Sequence, residues 1–417
     1  MRNVLSTLTL STFCTASALA AVGNTDWPQW RGPSRDGHLQ GFKTPAVWPR
    51  TLVKRWSAAA GEAFGSPIVV ANKAYILVRQ GEQEVTLCLD LATGRKIWED
   101  RVAAPFNSVI FPAQRFGKSP RSTPLYHSGR LYTVGVNGLL TCFTADTGKV
   151  LWRRDFAKMY RTPMPICGAS LSPLVDGKKL YIHAGHDNEG AFFALDRDTG
   201  KEIWAWKGEG PGYTSPIIAT LGGVRQIVTA SHNMWLGLDP NTGAQLWNIA
   251  VRQNMFNHNS ISSVVAGDLV ICGGNQRTTF ALRIQKQGSR LTAVKAWETR
   301  DVTLSTASPV VVGTRLYALN EKRRGQVVVM DTATGRVLWG CGGSKGEHAT
   351  FYDAGPNLLH FRDTGELVVY RKNGDVLDEV SRYQVAEGMS WGSPAISGNR
   401  FLVKGAEILN FWEIPSA

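Results

Sequence analysis

Eight polar residues precede short apolar stretches, and their types suit the binding of an anionic or polyhydroxylated ligand. They are Lys118, Arg121, Ser122, Tyr213, Ser215, Asn257, His258 and Asn259. The segment KSPRS (118–122) provides two cations and is the strongest electrostatic candidate. A solvent-facing strand cap is the simpler interpretation of the same residues, and it stays open. The groups would share one pocket if the strands that follow them converge on a common axis.

The sequence offers weaker grounds for a metal site or for catalysis. His183, His186, Asp187 and Glu189 could supply imidazole and carboxylate ligands, but a hairpin loop that contains a glycine explains this spacing better. We therefore predict no metal site. The sequence contains no G-x-S-x-G or P-loop motif. Catalytic residues stay unassigned, because a site can be assembled from segments that are far apart in the chain.

Much of the chain consists of near-copies of one unit built around a Thr-Gly dipeptide. The clearest copies are LDLATGRKIW (89–98), FTADTGKVLW (143–152), LDRDTGKEIW (195–204), LDPNTGAQLW (238–247) and MDTATGRVLW (330–339). Each predicts a strand, a tight turn and a second strand, with an Asp or Thr side chain capping the turn and Gly at positive φ. The structural motif residues are Asp90, Gly94, Trp98, Gly148, Trp152, Asp196, Gly200, Trp204, Asp239, Gly243, Trp247, Asp331, Gly335 and Trp339.

The spacing of the repeats indicates the architecture. Tryptophans recur every 42 to 54 residues, at Trp56, Trp98, Trp152, Trp204, Trp247, Trp297 and Trp339. This period is typical of four-stranded propeller blades. Small residues mark the start of an innermost strand at 65–69, 121–126, 170–175, 214–218, 260–265, 306–311 and 392–396. We predict an all-β fold in a single domain (21–417): an eight-bladed β-propeller of four-stranded antiparallel blades, in which an N-terminal strand (52–56) pairs with the C-terminal blade and closes the ring.

Residues 1–20 predict a signal peptide, because Arg2 precedes a short apolar stretch and the sequence Ala-Leu-Ala (18–20) is typical of a cleavage site. The protein is then periplasmic or secreted, and Phe13 before Cys14 argues against a lipid anchor. No segment is apolar enough to span a membrane. The formal net charge is +13. The basic residues are scattered without a nucleic-acid motif, so we expect no nucleic-acid partner.

Two cysteines occupy the same position in their repeats. Cys88 and Cys142 each lie six residues before the turn glycine, where other copies have Ala194, Gly237 and Val329. A column of small residues is typical of a packing niche. We therefore expect buried, unreactive thiols at these positions rather than catalytic ones.

The repeat motif and three longer segments resemble the pyrroloquinoline quinone (PQQ)-binding-like β-propeller repeat family. The segments are WPQWRGPSRDG (27–37), 117–152 and 211–243. The resemblance implies that the motif tryptophans pack between neighbouring blades. It also implies, for true quinoprotein dehydrogenases of this fold, adjacent cysteines, a calcium site and a catalytic Asp. This sequence has no adjacent cysteines, and it offers no match on which to place the other residues.

The resemblance therefore favours a non-catalytic binding scaffold in the bacterial envelope. The sequence is similar to family members that have lost the quinone, among them the propeller lipoprotein of the outer-membrane β-barrel assembly machine. We expect an envelope protein or glycan as partner, a monomeric state and no cofactor. Two alternatives stay open. One is a quinoprotein dehydrogenase that oxidises an alcohol or aldose with PQQ and Ca²⁺; the other is a carbohydrate-binding or carbohydrate-active propeller.

The segment DWPQWRGPSRDG (26–37) has two interpretations of its own. Its tryptophans could form a platform for a sugar, or they could anchor a strap that packs against the blades. Because residues 52–56 are needed to finish the last blade, this segment leads into the closing strand. We therefore predict that it is a strap.

Overall fold

The computed structural model describes residues 25–106, 117–160, 165–186, 188–251, 258–323, 325–343 and 346–415. Within these ranges the chain forms 32 strands, arranged as eight four-stranded antiparallel sheets around a ring, and two one-turn 3-10 helices. The predicted eight-bladed β-propeller is confirmed. No helix in the described ranges has the length and apolar character needed to cross a membrane. The predicted signal peptide (1–20) lies outside the described residues.

The strands are numbered along the chain, and β1 (Val53–Ala59) belongs to the last blade. Blade 1 contains β2 (Ile68–Val70), β3 (Lys73–Gln80), β4 (Gln83–Asp90) and β5 (Lys96–Ala103), and blade 2 contains β6 (Leu125–His127), β7 (Arg130–Val134), β8 (Leu139–Thr144) and β9 (Val150–Asp155). Blade 3 contains β10 (Leu174–Asp176), β11 (Lys179–His186), β12 (Glu189–Asp196) and β13 (Glu202–Gly208). Blade 4 contains β14 (Ile217–Leu221), β15 (Val224–Ala230), β16 (Met234–Leu238) and β17 (Gln245–Ala250).

Blade 5 contains β18 (Val264–Ala266), β19 (Leu269–Cys272), β20 (Thr279–Gln287) and β21 (Arg290–Thr299), and blade 6 contains β22 (Val310–Val312), β23 (Arg315–Asn320), β24 (Gln326–Asp331) and β25 (Val337–Gly340). Blade 7 contains β26 (Ala349–Ala354), β27 (Asn357–Arg362), β28 (Glu366–Asn373) and β29 (Val376–Gln384). Blade 8 contains β30 (Ala395–Ser397), β31 (Arg400–Lys404) and β32 (Ile408–Glu413), and β1 completes it. The 3-10 helices are Phe156–Lys158 and Glu321–Arg323.

Alternating strand directions give the ring two different faces. The turns from the first to the second strand of a blade, and from the third to the fourth, lie on one face, which we call the turn face. The connections between blades, and those from the second to the third strand, lie on the opposite face, which we call the funnel face. The Thr-Gly turns join third and fourth strands and so belong to the turn face.

The closing strand pairs with the end of the chain as predicted. β1 runs antiparallel to β32, with Val53 opposite Glu413 and Ala59 opposite Ile408. Trp56 of β1 also donates a hydrogen bond from Nε1 to the Leu91 carbonyl of blade 1 at 2.9 Å. The closing strand therefore joins the last blade to the first, which removes an open sheet edge.

Each described Thr-Gly turn packs its glycine against the tryptophan of the preceding blade. Gly148 has φ +72°, and a Cβ added there would lie 2.5 Å from the indole of Trp98, whose Nε1 donates to the Ala145 carbonyl at 2.9 Å. The same arrangement holds for the pairs Gly94–Trp56, Gly200–Trp152, Gly243–Trp204 and Gly335–Trp297. In four of these turns, the threonine hydroxyl donates to the aspartate carboxylate three residues earlier in the chain. The aspartates are Asp90, Asp196, Asp239 and Asp331. The repeat motif thus encodes the contact between neighbouring blades.

Two motif tryptophans precede blades that lack this turn and pack differently. Trp247 donates from Nε1 to the side chain of Gln226 within blade 4. Trp339 lies against the apolar cluster that contains Tyr370 and Leu377. A motif tryptophan therefore packs as in the other copies only where the next blade supplies the turn glycine.

We expect Gly148→Ala to lower the free energy of unfolding by about 2–5 kcal/mol. An L-residue in the left-handed region costs about 1–2 kcal/mol, and overlap of the new Cβ with Trp98 adds about 1–3 kcal/mol. Gly177 is the matched control, because it has φ +56° but, among the described residues, no atom within 4 Å of an added Cβ. Gly177→Ala should therefore show the backbone cost alone. Urea unfolding followed by fluorescence measures both, and equal losses would contradict a role for the Trp98 contact.

The cysteines of the described residues, Cys88, Cys142, Cys167, Cys272 and Cys341, are all free. Cys88 and Cys142 are fully buried in the predicted niche. Burial raises the pKa of both thiols to about 12. Thiols that stay protonated at neutral pH are poor nucleophiles, which is consistent with a packing role.

The N-terminal segment 26–37 crosses the ring axis and bonds to five blades. Trp27 exchanges backbone hydrogen bonds with Val69 of blade 1. The Pro28 carbonyl accepts from the backbone N–H of Tyr126 in blade 2. Arg31 donates to a carbonyl of blade 6, Arg35 donates to one of blade 3, and the Gly37 carbonyl accepts the backbone N–H of Asp353 in blade 7. This geometry supports the strap interpretation.

Candidate functional site

A funnel of about 240 Å³ opens on the axis at the funnel face, and every blade contributes to its wall. Apart from Trp30 of the strap, its lining residues come from the connections that precede the first strands and from those between second and third strands. They are Trp30, Phe64, Ser66, Arg121, Thr123, Cys167, Ser170, Ser172, Tyr213, Ser215, His258, Ser260, Ile261, Ser262, Asn275, Ser305, Thr306, Ala307, Ser308, Glu321, Glu347, His348, Trp391 and Ser393. The funnel is therefore the candidate site, at the place where the predicted groups converge.

Four of the eight predicted ligand-binding residues line this funnel: Arg121, Tyr213, Ser215 and His258. The other described ones do not. Lys118 is partly buried and pairs with Glu82 at 3.0 Å, Ser122 is buried outside the wall, and Asn259 donates to the Ser231 carbonyl at 2.9 Å. Asn257 lies outside the described residues. Successive side chains of an extended segment point to opposite sides, so the neighbours Ser122 and Asn259 point away from the axis.

A chain of hydrogen bonds between blades runs around the lower wall. The hydroxyl oxygens of Thr123, Ser172, Ser215 and Ser262, which we call the hydroxyl belt, each accept a backbone N–H from the preceding blade. The donors are Ser66, Thr123, Ser172 and Ser215, at 3.2, 3.0, 2.9 and 2.8 Å. Thr350 and Ser393 continue the contact between blades 7 and 8 with a hydroxyl pair at 2.8 Å. Ser215 is among the predicted ligand-binding residues, whereas Thr123, Ser172 and Ser262 were predicted only as small residues at strand starts, and their polar role was missed.

The strap supplies the floor of the funnel. Trp30 lines it, and the guanidinium carbons of Arg31 and Arg35 each lie 5.5 Å from the centre of the Trp30 ring. Both guanidinium groups are buried. Burial lowers the pKa of Arg31 to about 10 and that of Arg35 to about 9, so both groups remain charged at neutral pH.

Aromatic and acidic groups occupy the wall of blades 6 to 8. The rings of His348 and Trp391 stack with centres 5.3 Å apart and planes 9° apart. His348 is half-buried, and both of its ring nitrogens are shielded from solvent. Burial lowers its pKa, so it is neutral at pH 7. The acidic residues Glu321 and Glu347 line the same part of the funnel.

The wall of blades 2 to 5 carries one cation and several hydrogen-bonding groups. Arg121 donates to the carbonyls of Gly117 and Ser119 at 3.0 Å each, and burial lowers its pKa. The Tyr213 hydroxyl accepts from the backbone N–H of Cys167 at 3.2 Å, and its ring meets that of His258 edge to face. These side chains are held in place by neighbouring blades before any ligand arrives.

The donor chemistry of the described wall does not match PQQ with calcium. PQQ carries several carboxylates, whereas the wall presents the carboxylates of Glu321 and Glu347 on one side and the single guanidinium of Arg121 on another. Among the described residues, no group of three or more His, Cys, Asp or Glu side chains is arranged to hold a metal ion.

A family profile described as outer membrane protein assembly factor BamB matches residues 113–341, more than half of the chain. The chain belongs to this PQQ-like β-propeller family. Among the relatives of this chain is an outer membrane protein assembly factor BamB from Kangiella koreensis. The two are 32% identical over 144 residues, which are 34% of this chain and 32% of that protein. A 1-butanol dehydrogenase (quinone) from Thauera butanivorans is 26% identical over 183 residues, 41% of this chain and 27% of the enzyme.

The solved structures show the same fold at low sequence identity. A quinohemoprotein alcohol dehydrogenase from Comamonas testosteroni matches with a TM-score of 0.67 and 13% identity, covering 96% of this chain and 83% of that one. The chain matches about a third or less of the length of the two curated relatives named above. The relatives of this PQQ-like propeller thus include both an assembly factor and a quinone-dependent enzyme.

Proposed function

We propose that this PQQ-like propeller is a binding scaffold of the bacterial envelope that holds a partner protein on its funnel face and catalyses no reaction. The bonding of the hydroxyl belt carries the proposal. These bonds fix the side chains of Ser172 and Ser215 between neighbouring blades, so the wall is rigid before a partner docks on it. The matching family, described as an outer membrane protein assembly factor, supports an envelope role.

Photo-crosslinking in intact cells tests the partner. A benzoyl-phenylalanine at Met389, which is 55% exposed beside Trp391 on the funnel face, should give a discrete adduct with an envelope protein. The control is the same residue at Val47, which is 83% exposed in the segment that follows the strap. We expect no adduct from position 47. Equal labelling from both positions, or none from position 389, would contradict docking on the funnel face.

The quinoprotein dehydrogenase is the second candidate, and the similarity to 1-butanol dehydrogenase (quinone) favours it. A cofactor that binds the folded state raises the melting temperature. Under our proposal, saturating PQQ with Ca²⁺ leaves the melting temperature unchanged and gives no dye reduction with alcohols or aldoses. A stabilised complex with calcium-dependent dye reduction would establish the enzyme instead.

A further inference from the structure

The floor of the funnel rests on two buried guanidinium groups whose hydrogen-bond partners are neutral oxygens. Arg35 donates to the carbonyls of Pro173 and Ser172 at 2.8 and 3.1 Å, and to the Gln29 amide oxygen at 3.1 Å. Arg31 donates to the carbonyls of Asp36 and Pro309; burial lowers its pKa, and Tyr352 and the Asp36 carboxylate oppose this only in part. Buried charges are normally matched by an opposite charge. The positive potential beneath Trp30 therefore favours an anion in the funnel.

The hydroxyl belt provides donors for such an anion. Each belt oxygen already accepts a backbone N–H, so its own O–H is available to donate. Thr123, Ser172 and Ser215 line the funnel, and at most 5% of each residue is exposed. Hydrogen bonds from buried hydroxyls to an anion are shorter and stronger than those to neutral acceptors. The donors and the positive potential thus coincide at the bottom of the funnel.

The upper wall of the funnel suits an uncharged, hydroxyl-bearing part of a ligand instead of a second anionic group. Glu321 and Glu347 can accept hydrogen bonds from ligand hydroxyls, and Trp391 offers an aromatic surface for an apolar ring face. The volume of about 240 Å³ is below the roughly 300–1,000 Å³ of pockets for drug-sized molecules. A monosaccharide is the right size for this space.

We propose that the funnel binds a sugar acid, a monosaccharide with one carboxylate, whose carboxylate lies on the hydroxyl belt and whose hydroxyls face Glu321 and Glu347. The two strap arginines act through space from beneath Trp30, and the belt hydroxyls make the direct contacts. A small sugar acid in the funnel is independent of a partner protein on the funnel face. Either proposal can therefore fail without the other.

Calorimetric titration of the purified chain with D-glucuronate and D-galacturonate tests the ligand class. We expect at least one of them to bind at least tenfold more tightly than D-glucose, which lacks the carboxylate, and than acetate, which lacks the sugar. If glucose bound as tightly as the uronates, the proposed contact with the carboxylate would be wrong. If acetate bound as tightly, the proposed contacts with the sugar would be wrong. Failure of both uronates to bind, or tighter binding of PQQ, would also overturn the assignment.

Two belt variants locate the site. Thr123→Val preserves the side-chain shape but removes the hydroxyl, and it should weaken uronate binding at least tenfold, whereas Thr123→Ser retains the donor and should stay within about twofold. Ser262→Ala is a second variant in case the valine protein does not fold. Thermal melting establishes that each variant is folded. Unchanged uronate affinity in a folded Thr123→Val or Ser262→Ala protein would place the ligand elsewhere.

Discussion

Trp27→Ala is expected to lower the free energy of unfolding by about 3–5 kcal/mol, the range for removal of a large buried aromatic side chain. Trp27 is 3% exposed. Its backbone exchanges hydrogen bonds of 2.6 and 3.0 Å with Val69 in blade 1, and its ring meets Tyr352 of blade 7 edge to face at 5.3 Å. These contacts tie together the blades on both sides of the closing blade 8. The substitution should therefore weaken closure of the ring as well as local packing.

Two matched variants make this test specific. Trp30→Ala removes the same side chain three residues away, but Trp30 is only partly buried at the funnel floor, so we expect a smaller loss of stability. Val47→Ala changes a residue that is 83% exposed and should stay within about 0.5 kcal/mol of wild type. Urea unfolding measures all three. A loss for Trp27→Ala as small as that for Val47→Ala would show that the strap does not hold the ring together.

The ring architecture could be predicted from sequence because it rests on local chemistry that repeats. A positive-φ glycine such as Gly148, a capping residue such as Asp90 and a tryptophan such as Trp98 recur with the period of one blade. Closure was also accessible, because an incomplete last unit required a further strand and only 52–56 carried the matching tryptophan. Repetition thus turned a long-range arrangement into a local pattern.

The funnel was harder to predict because its residues meet only after the ring has closed. Alternation along an extended chain could have separated Arg121 and Thr123, which face the axis, from Ser122, which does not. The Ser/Thr-Pro pairs at the starts of the first strands were a further signal for the hydroxyl belt. No local pattern, however, shows that Arg31 and Arg35 lie beneath the funnel. Their positions depend on carbonyls 137 to 278 residues away in the chain.

Acidification is expected to lower the free energy of unfolding substantially, because a buried histidine becomes protonated. The Nε2 of His183 lies 2.9 Å from the Glu209 carbonyl oxygen, and the ring packs edge-on against Phe192 and Trp206. Burial lowers its pKa from 6.5 to about 4, and the hydrogen bond to Glu209 opposes this only in part. The unfolded chain therefore binds the proton more tightly. The stability contributed by neutral His183 is complete above pH 6.5 and is lost as the pH falls to 4, by about 3 kcal/mol at about 1.4 kcal/mol per pH unit.

His183→Gln isolates this contribution, because glutamine can still donate to the Glu209 carbonyl but does not titrate. Between pH 6.5 and 4 the variant should lose about 3 kcal/mol less of its unfolding free energy than wild type. Burial also lowers the pKa of His348, and the hydrogen bond to Asp353 raises that of His38. Both groups are present in wild type and variant, so their effects cancel in the difference. Parallel stability curves for the two proteins would show that His183 is protonated in the folded state at little cost.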